Sequence, residues 1–283
     1  MEGSGPAKIL LMDLSGVISE EPAFSLGGSA PRVSLLARVR EELKKAEDDE
    51  RIKALVLRIN SPGGTVTASD ILYREISAFK ARKKIPVVAV IMDVGASGGY
   101  YVALAVDTIV AHPTTVTGSI GVIMLTLNAE GLLQKVGVAP LAIKSGAKKD
   151  MGAPFRSLTE EERAIFQSVI DDFHSRFVSL IATKRRLPEE RVRALADGRI
   201  YTAQQALELG LVDRVGYLEE VVELAKRTAG TTEARVIMYR RPHEYRSNIY
   251  SSAETLERPE FTLAQLGSLL VGPGPRFFYL WWP

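Results

Sequence analysis

Residues 85–105 read IPVVAVIMDVGASGGYYVALA, and this stretch decides the fold. Residues 85–92 form a continuous apolar run, which is typical of a strand covered on both faces of a parallel sheet. A turn of small residues follows at 95–99, and the apolar residues after it predict a helix that begins there. Because a buried strand leads through a tight turn into a helix, the stretch predicts one βα unit of an α/β domain.

The same alternation of strand and helix extends to both sides of this unit. Apolar runs predict further strands, at 8–18, 52–59, 108–111 and 121–125. Helical spacing of apolar residues predicts helices, at 33–46, 68–81, 129–136, 159–184, 188–196, 202–209 and 218–228. The pattern indicates an α/β fold of parallel βαβ units with a helical C-terminal extension. We expect one domain over 1–240 and a tail over 241–283.

Composition narrows the classes of function. The 283 residues include 36 Lys plus Arg and 34 Asp plus Glu, and a net charge of +2 gives no reason to expect a nucleic-acid partner. The absence of cysteine excludes thiol nucleophiles and disulfides. The three histidines lie far apart in sequence, so we expect no metal site and no cofactor. No apolar run is long enough to predict a membrane-spanning helix.

Ser97 is the first candidate functional residue, because it lies among glycines between a predicted strand and a predicted helix. As a nucleophile, it would have the N–H of Gly98 beside it to bind a developing oxyanion. As a helix cap, its hydroxyl would instead accept a hydrogen bond from the first turn. The turn alone is compatible with either role.

A second turn of small residues, Ser-Pro-Gly-Gly at 61–64, follows the predicted strand at 52–59. Paired glycines after a proline expose backbone N–H groups at the carboxyl edge of a sheet, where ligands of open α/β folds bind. Gly63 or Gly64 could therefore supply a second oxyanion donor, although a simple turn would use the same residues. Because the two turns are one βαβ step apart, we expect them to face each other.

A serine nucleophile needs a base. His112 is the nearest histidine in sequence and follows the predicted strand at 108–111. Lys144, Lys148 and Lys149 lie in a polar loop and are alternatives, provided that burial favours the neutral amine. The residues by themselves leave the choice open.

Five stretches together resemble the signal peptide peptidase A family of serine–lysine proteases, in its short, single-unit bacterial form. They occur in the family's order, at 61–64, 95–101, 117–122, 144–150 and 197–202. The resemblance runs from about residue 9 to residue 236, which is most of the chain.

The resemblance implies a ClpP/crotonase-like fold for the domain at 1–240 and assigns roles to five residues. It implies Ser97 as nucleophile and Lys149 as general base, with Lys148 and the more distant Lys144 as weaker choices. Ser119 matches the serine that hydrogen-bonds the lysine. Gly64 and Gly98 match the oxyanion donors. No cofactor is implied.

The resemblance also implies partners. Members cleave remnant signal peptides and other short hydrophobic peptides, and the short members are ring-like homo-oligomers in which neighbouring subunits share the active site. The family is membrane-anchored with an extracytoplasmic active site. No anchor is recognised here, so we expect either a soluble, cytoplasmic protein or a truncated chain.

Three other functions use similar features. A crotonase-type acyl-CoA lyase or thioesterase would need the oxyanion turns but neither Ser97 nor a lysine. A histidine-dependent Clp-type peptidase would need a histidine roughly two dozen residues after the serine, where none occurs. A non-catalytic scaffold would have the same fold without catalytic activity and would bind membrane partners. We interpret the aromatic tail from residue 261 as a packing or subunit contact, as a membrane-surface contact, or as a disordered end, and expect 241–260 to be mobile.

Overall fold

The computed structural model describes residues 3–20, 33–240 and 276–281. The strands are β1 (Ala7–Ser15), β2 (Ile52–Ser61), β3 (Gly63–Thr65), β4 (Val87–Ala96), β5 (Thr108–Ala111), β6 (Val116–Gly118), β7 (Ile123–Leu125), β8 (Ile200–Thr202), β9 (Arg214–Val215), β10 (Ala234–Ile237) and β11 (Arg276–Leu280). The helices are α1 (Leu35–Asp48), α2 (Val66–Lys83), α3 (Gly98–Ala103), α4 (Glu130–Lys135), α5 (Glu160–Arg185), α6 (Glu189–Leu195), α7 (Ala203–Glu208) and α8 (Leu218–Thr228).

The larger sheet of the described residues has eight strands. Its main path runs β10-β1-β2-β4-β5-β9, and every neighbouring pair on that path is parallel. Strand β6 continues the parallel pairing of β4, and β8 is antiparallel to β6. Helix α2 provides the crossover between the parallel strands β2 and β4. The predicted α/β class with parallel crossover units is confirmed.

Side chains of the central strands alternate between two apolar cores, one on each face of this sheet. On one face, Ile9, Val56 and Val90 belong to a core that includes residues of helix α8. On the other face, Leu57 and Ile91 belong to a core shared with residues of α1, α2, α3 and α5. Burial on both faces explains why the apolar run of β4 is continuous rather than alternating.

A smaller sheet of three strands lies at the carboxyl edge of the larger one. Its order is β3-β11-β7, and β11 is antiparallel to both neighbours. Phe278, Tyr279 and Leu280 of β11 are buried. Strand β11 of the aromatic tail thus packs within the chain, whereas 241–275 lies outside the described residues. The division of the chain at residue 240 stays a prediction.

Local signals placed most helices correctly, whereas six short strands were not predicted, namely β3, β6, β8, β9, β10 and β11. Helix α5 begins with the predicted capping box, in which the Glu162 N–H donates to Thr159 Oγ1 at 3.2 Å and the Thr159 N–H donates to Glu162 Oε2 at 3.0 Å. The strand predicted at 121–125 covers only Ile123–Leu125, and β6 precedes it at Val116–Gly118. Positive φ at Gly118 and Ser119 separates these two short strands.

Candidate active site

Ser97 lies at the junction between strand β4 and helix α3. Its backbone has a φ of 50° and a ψ of −114°, a region that residues other than glycine rarely occupy. The Ser97 N–H donates to the Gly118 carbonyl at 2.8 Å, and the Ser97 carbonyl accepts the Tyr101 N–H at 2.9 Å. Strained backbone that the surroundings fix in this way is typical of a catalytic strand-to-helix turn.

The Ser97 hydroxyl is buried without a partner. The residue is 1% exposed, and its Oγ makes no hydrogen bond to any described residue. Because the side chain makes no bond to the first turn of α3, the alternative that Ser97 caps this helix is wrong. An unpaired buried hydroxyl costs about 1–3 kcal/mol. Because the unpaired hydroxyl destabilises the fold, its presence indicates a chemical role for Ser97 and not a structural one.

The two glycine turns meet beside Ser97. A β-carbon on Gly63 would lie 2.7 Å from the nitrogen of Gly98, and one on Gly98 would lie 3.1 Å from Gly63 Cα. A β-carbon on Gly64 would lie 1.8 Å from the carbonyl oxygen of Ile18. Side chains therefore do not fit at these positions without movement of the backbone. The prediction that the two turns face each other is confirmed.

Ser119 lies at the same edge of the sheet. It has a φ of 48°, is 8% exposed, and donates its N–H to the Arg199 carbonyl at 2.8 Å. It directly follows Gly118, whose carbonyl accepts the Ser97 N–H. The fold therefore brings four of the five predicted site residues, all except Lys149, to one place.

Lys149 stands apart from this group. It is exposed, in the loop between α4 and α5, and no described residue forms a hydrogen bond or ion pair with its ammonium group. The two neighbouring candidates are paired: Lys144 Nζ lies 2.6 Å from Asp150 Oδ1, and Lys148 forms an ion pair with Glu161. Since Ser97 Oγ has no partner, none of these lysines reaches it within one chain.

Arg156 fixes the loop that carries Lys149 to the start of helix α5. Its guanidinium donates to Asp150 Oδ1 at 2.8 Å, to Glu162 Oε1 at 2.6 Å and to Glu162 Oε2 at 2.9 Å. Its bonds lower the pKa of Glu162 to about 2 and hold the pKa of Asp150 well below its usual range. The sequence contains no signal for this cluster beyond the capping box, because the contacts depend on how the loop folds back.

Replacing Arg156 with alanine is expected to loosen this loop and lower the melting temperature. The pKa values of both carboxyls are depressed in the folded protein, so their stabilising effect is complete above the unfolded values of 3.8 and 4.5 and is lost as the pH falls toward about 2. Thermal denaturation of wild type and R156A across this range should give a difference that shrinks with acidity. A difference that stays constant with pH would contradict the assignment.

His112 forms no hydrogen bond with the Ser97 hydroxyl. Its Nδ1 lies 2.9 Å from Thr114 Oγ1, and its ring meets the edge of Tyr217 with centroids 5.1 Å apart. The alternative that His112 is the base therefore finds no support in the geometry of the chain. Across 3–20, 33–240 and 276–281, no three histidine or carboxylate side chains are grouped as a metal site requires, and no helix is long and apolar enough to span a bilayer.

The sequence is similar to known peptidases. Residues 79–232 match the model of peptidase family S49. The chain is 38% identical over 239 residues to a protein from Enterococcus faecium named as a signal peptide peptidase SppA, covering 84% of this chain and 69% of that one. It is 46% identical over 192 residues to a protein from Synechocystis sp. named as a protease, covering 68% and 69%.

Two further matches are a relative that is much longer than this chain and a solved structure of low sequence identity. A chloroplastic serine protease SPPA from Arabidopsis thaliana is 36% identical over 203 residues, which cover 71% of this chain and 30% of that one. A ClpP1 mutant from Listeria monocytogenes superposes with a TM-score of 0.48 at 19% identity, over 74% of this chain and 92% of the other. The segment at 79–232 contains Ser97, Ser119 and Lys149.

Proposed function

Because the chain belongs to peptidase family S49, we propose that it is a serine peptidase in which Ser97 is the nucleophile and Lys149 the general base. The observation that carries this proposal is the Ser97 hydroxyl, which is buried, without a partner, and held on a strained turn beside Gly98. The meeting of the two glycine turns adds backbone N–H groups next to that hydroxyl.

We propose the following reaction. Neutral Lys149 takes the proton of Ser97 Oγ as that oxygen attacks a peptide carbonyl carbon. The N–H groups of Gly98 and Gly64 donate to the oxyanion that develops. The amine leaves with the proton held by Lys149, and an acyl-enzyme remains. Water, activated by the same lysine, hydrolyses the ester and restores Ser97.

We propose that Lys149 acts on the serine of a neighbouring subunit in a ring-like homo-oligomer. Lysine is a base only when neutral, and removal from water favours the neutral form. Lys149 is exposed in the single chain, so a second subunit would have to cover it. Leu141 and Ile143, close to it in sequence, are 87% and 95% exposed. Large apolar residues exposed to this extent are typical of a subunit contact.

Ser119 is proposed to orient the lysine. Its backbone has a positive φ and directly follows Gly118, whose carbonyl accepts the Ser97 N–H, so the residue lies close in the fold to the nucleophile. A hydroxyl there can accept a hydrogen bond from an incoming ammonium or donate one to the neutral amine.

The proposed substrates are short hydrophobic or unfolded peptides, including remnant signal peptides, at or near a membrane surface. An extended peptide can pair with a strand edge, whereas a folded protein cannot present its backbone in this way. The name of the relative from Enterococcus faecium, a signal peptide peptidase, supports this class of substrate.

A fluorophosphonate probe tests the nucleophile directly. We expect covalent labelling of Ser97 in the wild type, no labelling in Ser97→Ala, and unchanged labelling in Ser168→Ala, which removes an exposed hydroxyl from α5. Labelling should be slower in Lys149→Ala, because the base is missing. Mass spectrometry of the labelled peptide identifies the site. A wild type that remains unlabelled and binds acyl-CoA would instead support a crotonase-type enzyme.

A further inference from the structure

The lysine of the proposed reaction lies between two ion pairs. Lys148, directly before Lys149, pairs with Glu161, but both partners are exposed and such a pair contributes little to stability. Asp150, directly after Lys149, pairs with Arg156. The ammonium group of Lys149 itself has no partner within 3–20, 33–240 and 276–281. The contact between Asp150 and Arg156 is therefore the main restraint on the backbone beside the lysine.

Arg156 binds two carboxylates at once, with two edges of its guanidinium group. On one edge, Nε lies 3.1 Å from Asp150 Oδ2 and Nη2 lies 2.8 Å from Asp150 Oδ1. On the other edge, Nη2 lies 2.6 Å from Glu162 Oε1 and Nη1 lies 2.9 Å from Glu162 Oε2. Bidentate pairs of this kind fix the orientation of each carboxylate as well as its distance, which the point charge of a lysine does not.

Glu162 is buried at the start of helix α5 and does more than cap that helix. It is 2% exposed, and its Oε2 also accepts the Thr159 N–H at 3.0 Å in the capping box. Glutamine serves a capping box as well as glutamate does, but its single amide oxygen cannot accept hydrogen bonds at two positions from Arg156. Because a buried carboxylate destabilises a fold unless it is paired, the contact with Arg156 explains why a glutamate is tolerated here.

Helix α5 connects this cluster to the body of the domain. Its C-terminal half has three residues with no exposed surface in the apolar core that also contains helix α3, namely Phe177, Val178 and Ile181. Helix α3 begins directly after Ser97. Through Glu162, Arg156 therefore ties the loop of Lys149 to a helix that packs in the same core as the helix of the nucleophile.

The backbone that carries Arg156 is itself held in place. The next residue, Ser157, donates its N–H at 3.0 Å and its hydroxyl at 2.9 Å to Glu130 Oε2 at the start of α4. Two residues before Arg156, the Pro154 carbonyl accepts the Ala129 N–H at 2.7 Å. The guanidinium group thus extends from a fixed point, and its contacts restrain the loop instead of moving with it.

The same contacts determine which charged groups can approach Lys149. The carboxylates of Asp150 and Glu162 are occupied by Arg156, and Lys144 Nζ lies 2.6 Å from Asp150 Oδ1 as well. An ammonium group that pairs with a carboxylate is stabilised in its charged form, and a charged lysine cannot accept a proton. By occupying the carboxylate next in sequence, Arg156 leaves the amine of Lys149 available as a base.

We propose that Arg156 and Glu162 are positioning residues for the catalytic lysine. Arg156 holds Asp150 against Glu162, and this contact sets the direction in which Lys149 is presented to the serine of the neighbouring subunit. Neither residue touches the substrate, and both act through the loop that carries the base. The proposal rests on the proposed function and adds to it the residues that place the base.

Steady-state kinetics test this role, at a temperature where every variant is folded. We expect Arg156→Ala to lower kcat for a short hydrophobic peptide by about tenfold or more while KM changes less than about twofold, because the base is displaced and the peptide-binding surface is not. Glu162→Gln should lower kcat in the same way, and Arg156→Lys should restore only part of it. Arg163→Ala, which removes an exposed arginine paired with Glu160 on the same helix, should match the wild type. An Arg156→Ala variant with the kcat of the wild type overturns the proposal.

Mixed rings separate positioning from a general loss of structure. Arg156→Ala protomers keep Ser97, so coexpression with Ser97→Ala protomers should leave about a quarter of the sites complete and raise kcat accordingly. Coexpression with Lys149→Ala protomers should give no gain, because no subunit then supplies a well-placed lysine. If neither mixture gains activity while Ser97→Ala mixed with Lys149→Ala does, the role of Arg156 is structural only. Failure of the proposed function would look different, as a fully active Lys149→Ala variant and a Ser97 that no probe labels.

Discussion

Replacing Ser97 with alanine is expected to lower kcat/KM for peptide hydrolysis by at least about a thousandfold. The loss follows because no other described hydroxyl has its position on the strained turn beside Gly98. The variant should unfold at the temperature of the wild type or slightly above it, because alanine removes a buried hydroxyl that has no partner. Steady-state kinetics with a short hydrophobic peptide and thermal denaturation provide the two measurements.

Ser168→Ala is the matched control for this variant, since it removes an exposed hydroxyl that donates only to the Ile165 carbonyl in its own helix. Its activity and melting temperature should equal those of the wild type. The assignment of Ser97 fails if Ser97→Ala keeps its activity. A loss of activity that comes with a much lower melting temperature would indicate a structural role instead.

Mixed rings of Ser97→Ala and Lys149→Ala protomers are expected to regain activity that neither variant has alone. If each site combines the serine of one subunit with the lysine of its neighbour, random assembly of equal amounts leaves about a quarter of the sites complete. Coexpression with two different tags, purification over both, and comparison of kcat with the wild type measure this fraction.

Lys148→Ala is the matched control for the lysine, because it removes an adjacent ammonium that is paired with Glu161. It is expected to remain active. A mixture that stays inactive at every ratio would show that each chain supplies its own base. An inactive Lys148→Ala together with an active Lys149→Ala would show that Lys148, and not Lys149, is the base.

Sequence reasoning succeeded where local pattern and parallel topology determine structure. The apolar run at 85–92 and the turn after it predicted β4 and α3 because both depend on residues close in sequence. The approach of Gly63 to Gly98 followed from topology, since neighbouring parallel strands end at one edge of the sheet.

Contacts between distant segments could not be predicted in the same way. Strand β11 pairs with residues more than 150 positions earlier, and no local pattern specifies that register. Its content of aromatic residues indicated a packing role without indicating which strands it would pair with. The contacts of Arg156 with Asp150 and Glu162 could not be predicted either, because they depend on the path of an irregular loop. In the proposed mechanism a second subunit brings Lys149 to Ser97, and no property of a single chain describes that contact.

Strand β11 also closes two open edges. With it in place, the backbone groups of β3 and β7 on that side are paired and cannot bind a strand from another molecule. Departure of the tail would leave these edges available for strand-to-strand association, which is the usual beginning of aggregation. By pairing with both strands, the C-terminal strand therefore protects the protein from association through these edges.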